Sequence, residues 1–148
     1  MELKDVLYEV RDGVGIITMN RPERLNASSA DMSRSLLHIL DNLTDDVRAL
    51  IFTGAGRAFC AGGDVKGMSE RLGESAQEPG WKRSHTEKAV SVAFWNCDRP
   101  IIAAVNGHAV GLGLSYASMC DFRIASDKAQ FGAVWVRRGY MPDAGGTF

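Results

Sequence analysis

The chain has 148 residues, 45% of them apolar and 24% charged, with a formal net charge of −1. Such totals suit one globular domain with a sizeable core and give no electrostatic case for binding nucleic acid or an anionic membrane surface. No apolar run approaches the roughly 18 residues of a membrane span, and the N-terminus, M-E-L-K-D-V-L-Y-E-V, lacks the basic and apolar regions of a secretory signal.

In chain order, Leu7 to Val10 and Gly15 to Met19 flank Asp12-Gly13 and read as a β-hairpin. Asn20-Arg21-Pro22 ends the second strand, because proline has no N–H for a ladder. Ser28 or Ser29 is an N-cap, and Met32, Leu36, Leu37, Leu40 and Leu43 follow as an apolar stripe at helical spacing. Ala49 to Thr53 is an apolar strand. It leads into a glycine-rich turn and a helix that starts at about Asp64. Ser69 to Arg83 is polar and broken by glycine and proline, which predicts a mobile loop. Ser84-His85-Thr86-Glu87 is a capping box for a helix bearing Val90, Ala93, Phe94 and Cys97 on one face and ending before Asp98-Arg99-Pro100.

Ile101 to Val105 is then a buried strand, Asn106 to Gly113 a glycine turn and Leu114 to Met119 a helix. Phe122 to Ser126 and Ala129 to Phe131 are strands, and Gly139 to Gly146 is a loop. Strands alternating with helices predict an α/β fold of βαβ units. The two strand–glycine–helix passages, at 49–68 and 101–121, are where chemistry is expected. The first N–H groups of a helix lack internal partners and carry the positive end of its dipole, which suits a phosphate, a carboxylate or a transient oxyanion.

Several pieces resemble, in order and spacing, the crotonase superfamily, also called the enoyl-CoA hydratase/isomerase family. They are N-R-P-E-R-L-N-A (Asn20 to Ala27), G-R-A-F-C-A-G-G-D-V (Gly56 to Val65) and P-I-I-A-A-V-N-G-H-A-V-G-L-G-L (Pro100 to Leu114). C-D-F-R-I-A-S (Cys120 to Ser126), A-Q-F-G (Ala129 to Gly132) and G-Y-M-P-D-A-G-G-T (Gly139 to Thr147) complete the set. The resemblance implies a crotonase-like spiral of ββα repeats. It also implies a chain (residues 1–148 as one core domain) that stops before the family's C-terminal helices, and a homo-oligomer of three or six copies.

For the site, the resemblance implies that the backbone N–H groups of Gly63 and Leu112 bind a thioester carbonyl and stabilise its enolate. Arg24, Leu25 and Ala27, with Ala61, Gly62, Asp64 and Val65, would hold the coenzyme A part of the substrate. Arg24 and Lys66 are the candidate phosphate contacts, and no prosthetic group is implied. Family hydratases use two glutamates, at positions where this chain has Ser115 and Trp135. Neither residue can serve as a carboxylate, so the two-glutamate hydration route is not expected. Asp143 is instead the expected acid/base of a double-bond isomerisation. Ser115 is a candidate to orient substrate, and Trp135 to line the acyl pocket.

The alternatives are hydrolysis of a thioester or C–C bond, and an acyl-CoA-binding subunit without activity. His38, His85 and His108 are read as structural or surface residues, and Cys60 and Cys120 as inert core thiols. With Cys97 they make three cysteines without C-x-x-C spacing. They are expected to stay reduced in the cytoplasm, and no cluster suggests a metal.

Overall fold

The computed structural model describes residues 1–67, 85–139, 141–142 and 144–147, with backbone alone at 85–88 and 138. The chain starts as a hairpin of β1 (Val6–Arg11) and β2 (Val14–Met19). Arg11 pairs with Val14, so Asp12-Gly13 is a two-residue loop. Asp12 at φ 53° and Gly13 at φ 79° give the positive pair that a type I′ turn needs. Tyr8 on β1 buries its hydroxyl without a hydrogen-bond partner among the described residues. A buried hydroxyl left unpaired costs about 1–3 kcal/mol. Tyr8→Phe is therefore expected to hold or raise the melting temperature, as read by thermal denaturation. A clear loss would mean that the hydroxyl is satisfied in solution.

Helix α1 (Ala30–Asp41) is capped by Ser29, whose hydroxyl accepts from the Met32 N–H at 3.0 Å. It buries Met32, Leu36 and Ile39 in the core, and Leu37 and Leu40 pack against that core. β3 (Ala49–Gly54) follows and pairs in parallel with β2. Helix α2 (His85–Asn96) lies against α1 and buries Val90 and Phe94. Ser84 and the side chains of 85–87, which would form the expected capping box, lie outside the described residues, as does the predicted loop at 69–83. β5 (Ile101–Val105) then pairs in parallel with β3, and β7 (Phe122–Ala125) with β5. The main sheet has the order β1-β2-β3-β5-β7.

A second sheet was not foreseen. β4 (Ala58–Cys60), β6 (His108–Val110) and β8 (Phe131–Gly132) pair in parallel in that order; β4 and β6 lie inside what read as glycine turns, and β8 overlaps the expected strand Ala129 to Phe131. Helix α3 (Leu112–Met119) starts two residues before the expected Leu114. Each of β3, β5 and β7 thus feeds a short strand of the second sheet, and helices α2 and α3 lead back to the first: a spiral of ββα repeats.

Phe52 sits at the centre of the core, with its ring 5.5 Å from that of Phe59, 5.3 Å from Phe94 and 5.9 Å from Tyr116. Strand β3, helix α2, helix α3 and strand β4 are therefore locked through one aromatic group. Cys60 and Cys120 belong to the same core, and burial pushes both thiols up to about 12. Among the described residues no helix is long and apolar enough to cross a membrane.

Candidate active site

After β2, Pro22–Arg24 form a 3₁₀ turn, followed by Leu25 and Asn26 at φ 51° and 56°. A left-handed conformation is tolerable for asparagine, whose short amide bonds locally. Here Asn26 is fully buried. Its Oδ1 accepts from the Arg21 N–H at 2.9 Å, and its Nδ2 donates to the carbonyls of Ala55 and Ala58, each at 2.8 Å. One side chain thereby ties the Arg21–Ala27 turn to both ends of the β3–β4 connection. Arg21 adds a second clamp: Nη1 donates to the Ala27 carbonyl at 2.7 Å, and Nη2 lies 3.0 Å from Asp64 Oδ2.

The turn is stitched along its length to the stretch after β4. Ala61 N–H donates to Leu25 O at 3.0 Å, Ser28 N–H to Gly62 O at 2.8 Å, and Asp64 N–H to Ser28 O at 3.0 Å. The last two bonds make a parallel bridge between Ser28 and Gly63. In such a bridge the flanking residues bond to Ser28, so the N–H of Gly63 itself points the other way. Residues 65–67 are helical, and the Asp64 carboxylate caps them by accepting from the Gly67 N–H at 3.1 Å.

The Gly67 N–H bond, the largest influence, holds the Asp64 carboxyl below its ordinary value against the opposing push of burial, and the hydrogen bond and charge of Arg21 add to the lowering. A depressed folded value means that ionised Asp64 stabilises the fold. That contribution is complete above the unfolded value and drains away as pH falls through the folded one. Asp64→Asn keeps a capping oxygen but loses the ion pair. It is expected to be less stable than the parent at neutral pH and to match it in strong acid, as measured by denaturant titration across pH. A gap independent of pH would remove the ion pair as its cause.

The second turn meets the first. Gly111 at φ 54°, ψ −122° caps α3 and accepts from the N–H groups of Leu114 and Ser115, at 2.8 and 3.1 Å. Leu112 is the first helical residue, so its N–H has no acceptor within the helix. Gly111 N–H donates to Gly132 O at 2.9 Å, fixing the turn to β8. A β-carbon on Gly111 would stand 4.0 Å from the Gly62 Cα, and one on Gly113 only 2.1 Å from the Cys60 carbonyl oxygen. Backbone thus packs on backbone, and the turns bearing Gly63 and Leu112 stand side by side.

Leu25, Ala27, Ala61, Gly62, Gly63, Asp64 and Val65 share one stitched ribbon beside this junction. The side chains of Arg24, Val65 and Lys66 face outward. Those of Leu112 and Ser115 are buried on α3. Trp135 lies in a 3₁₀ turn (Trp135–Arg138), with its Nε1 3.9 Å from where a Gly111 β-carbon would stand, so the indole lies against the Gly111 turn. Asp143 lies outside the described residues. Asp64 was expected at the start of a helix and, through its backbone, as a coenzyme A contact; its carboxylate is engaged as helix cap and ion-pair partner. Arg21 and Asn26 were not singled out. The signal for them was polar residues on either side of Pro22, within a turn that a buried carbonyl pair must satisfy.

The fold and the paired glycine turns are those of a crotonase-type domain. Residues 9–148 match the family model described as enoyl-CoA hydratase/isomerase, and the chain belongs to that family. A probable enoyl-CoA hydratase of Rhodobacter capsulatus is 38% identical over 149 residues, which cover 100% of this chain and 56% of that protein. The 1,2-epoxyphenylacetyl-CoA isomerase of Escherichia coli is 35% identical over 145 residues, 97% of this chain and 55% of the relative. Among solved structures, a putative enoyl-CoA hydratase of Thermobifida fusca in complex with acetoacetyl-CoA superposes with a TM-score of 0.83 at 32% identity, covering 97% of this chain and 59% of that one. The chain spans little more than half the length of these relatives.

Proposed function

We propose that this chain forms the oxyanion-holding core of an enzyme that moves a double bond in an acyl-CoA thioester. The observation that carries this reading is the contact between the Gly62 and Gly111 turns, which sets the N–H groups of Gly63 and Leu112 at neighbouring backbone positions. Two backbone donors aimed at a thioester oxygen favour the enolate over the carbonyl and require no reorganisation as charge develops.

Asp143 would take the proton from the carbon α to the thioester. The electron pair passes to the carbonyl oxygen as a dienolate, and the β,γ double bond shifts into conjugation with the thioester. Asp143 then returns the proton at the far carbon, so that no atom is gained or lost. Ser115 and Trp135 supply no carboxylate, which speaks against adding water by a two-carboxylate route. The Arg24–Ala27 turn and the Ala61–Val65 ribbon would hold the coenzyme A portion, with Ser115 orienting the acyl group and Trp135 walling it. The coenzyme enters as part of the substrate and no prosthetic group takes part. The protein would work in the cytoplasm as a trimer or hexamer.

Incubation with a panel of unsaturated acyl-CoAs tests this. A change in the conjugated-thioester absorbance at constant mass supports isomerisation, and Asp143→Asn should abolish it. Added mass of one water would replace the reading with hydration, and free thiol with hydrolysis. Binding of CoA esters without any turnover would favour a binding subunit.

A further inference from the structure

Behind the junction of the two turns lies a string of buried hydroxyls that nothing above employs. Tyr116 Oη lies 3.2 Å from Ser28 Oγ, and Ser28 Oγ lies 3.5 Å from Ser33 Oγ. Ser33 Oγ donates to the Ser29 carbonyl at 3.1 Å. Exposures of 1%, 3% and 0% for Tyr116, Ser28 and Ser33 keep water from substituting for these contacts. The direction of the string follows from proton counting. Ser33 has one hydroxyl hydrogen and gives it to a carbonyl, so Ser28 must donate to Ser33, and Tyr116 must donate to Ser28.

Both ends of the Tyr116–Ser28 contact belong to the candidate oxyanion site. Tyr116 lies one turn beyond Leu112 on α3, and residues four apart share a helix face. Its ring is stacked on Phe94, centroids 6.0 Å apart, and set edge-on against Phe52, so its position is fixed by the core. Ser28 provides both backbone bonds of the bridge that turns the Gly63 N–H outward. We infer that Tyr116 and Ser28 are positioning residues, whose hydroxyl contact sets the distance between the Leu112 and Gly63 N–H groups and so the polarisation of a bound thioester carbonyl. This rests on the oxyanion reading proposed above.

The test uses butyryl-CoA labelled with carbon-13 at the thioester carbonyl, which has no double bond to move, so the readout does not depend on turnover. Infrared difference spectra of the bound ligand report the downshift of the carbonyl stretch produced by hydrogen bonding. Tyr116→Phe is expected to lose most of that downshift while binding butyryl-CoA about as well as the parent. Ser28→Ala, which removes the Ser33 contact as well, should lose at least as much, and the double variant should lose no more than Ser28→Ala alone, since that variant already lacks the Tyr116–Ser28 contact. A downshift unchanged in Tyr116→Phe, even with a lowered melting temperature, would overturn the inference by leaving the hydroxyls a purely structural role. Loss of binding together with the downshift would also overturn it, as that marks a collapsed pocket rather than a displaced donor.

Leu112→Pro, which deletes one donor, separates the two levels. If it also leaves the downshift intact, or if the parent shows none, the oxyanion reading itself fails. If it abolishes the downshift while Tyr116→Phe does not, only the positioning role is lost.

Discussion

Leu112→Pro should lower turnover of an acyl-CoA substrate by roughly 100–1000-fold, the usual effect of deleting one oxyanion donor. The substitution is unusually clean here. Leu112 opens helix α3, where its N–H has no helical acceptor to lose. Proline is favoured at the first helical position, because its fixed φ suits the helix and its missing N–H is one of the orphans. The Leu112 side chain is buried, so proline also removes packing. Leu112→Ala supplies the control: it forfeits the packing, at about 2–5 kcal/mol for a buried leucine, but keeps the N–H. Steady-state kinetics should then find the alanine variant destabilised yet active per folded molecule, and the proline variant folded yet nearly inactive. Equal activity in the two would end the assignment of Leu112 as a donor.

Gly113→Ala is expected to cost about 3 kcal/mol, at the upper end for an overpacked interior. The added carbon would stand 2.1 Å from the Cys60 carbonyl oxygen and 2.8 Å from the Cys60 carbonyl carbon and β-carbon. Backbone in strand β4 cannot swing aside as the end of a long side chain could, so helix α3 must retreat from the second sheet. For a chain of this size the expected fall in melting temperature is roughly 6–12 °C, taking 2–4 °C per kcal/mol. Gly139→Ala gives the comparison. Gly139 has φ 68° but, among the described residues, nothing within 4 Å of an added carbon, so it should cost only the left-handed penalty of about 1 kcal/mol. If calorimetry found the two alike, close backbone approach would not be the reason for glycine at 113.

The parts legible in the sequence were those whose cause is local. Asp12-Gly13 between apolar runs dictates its own turn, and Met32 and Leu36 mark the inner face of α1 without reference to anything distant. The runs at 49–53 and 101–105 are apolar enough to be buried strands on their own account. β4 and β6 are different. Three residues each, amid glycines, they become strands only because each finds the other alongside, fifty positions away in the chain. The resemblance of motifs pointed to the paired turns and supplied the ββα spiral that periodicity could not. It did not reveal that Asn26 and Arg21 hold the Arg21–Ala27 turn and the stretch after β4 together, since a buried amide looks like any turn asparagine until its acceptors at Ala55 and Ala58 are in place. Nor does any spacing rule connect Ser28 with Tyr116.

The parallel pairing of β4, β6 and β8 also bears on the order of events during folding. Closing loops of this length costs chain entropy before any contact compensates it. The β1–β2 hairpin, joined by two residues, can form on the microsecond scale. The junction of the Gly62 and Gly111 turns must await the docking of distant segments. Pulsed hydrogen exchange during refolding should therefore protect the hairpin amides first and those of β6 and Gly111 among the last. The molecule would acquire most of its sheet before it acquires a competent site, so a refolding population would regain its circular dichroism signal ahead of its ability to polarise a thioester.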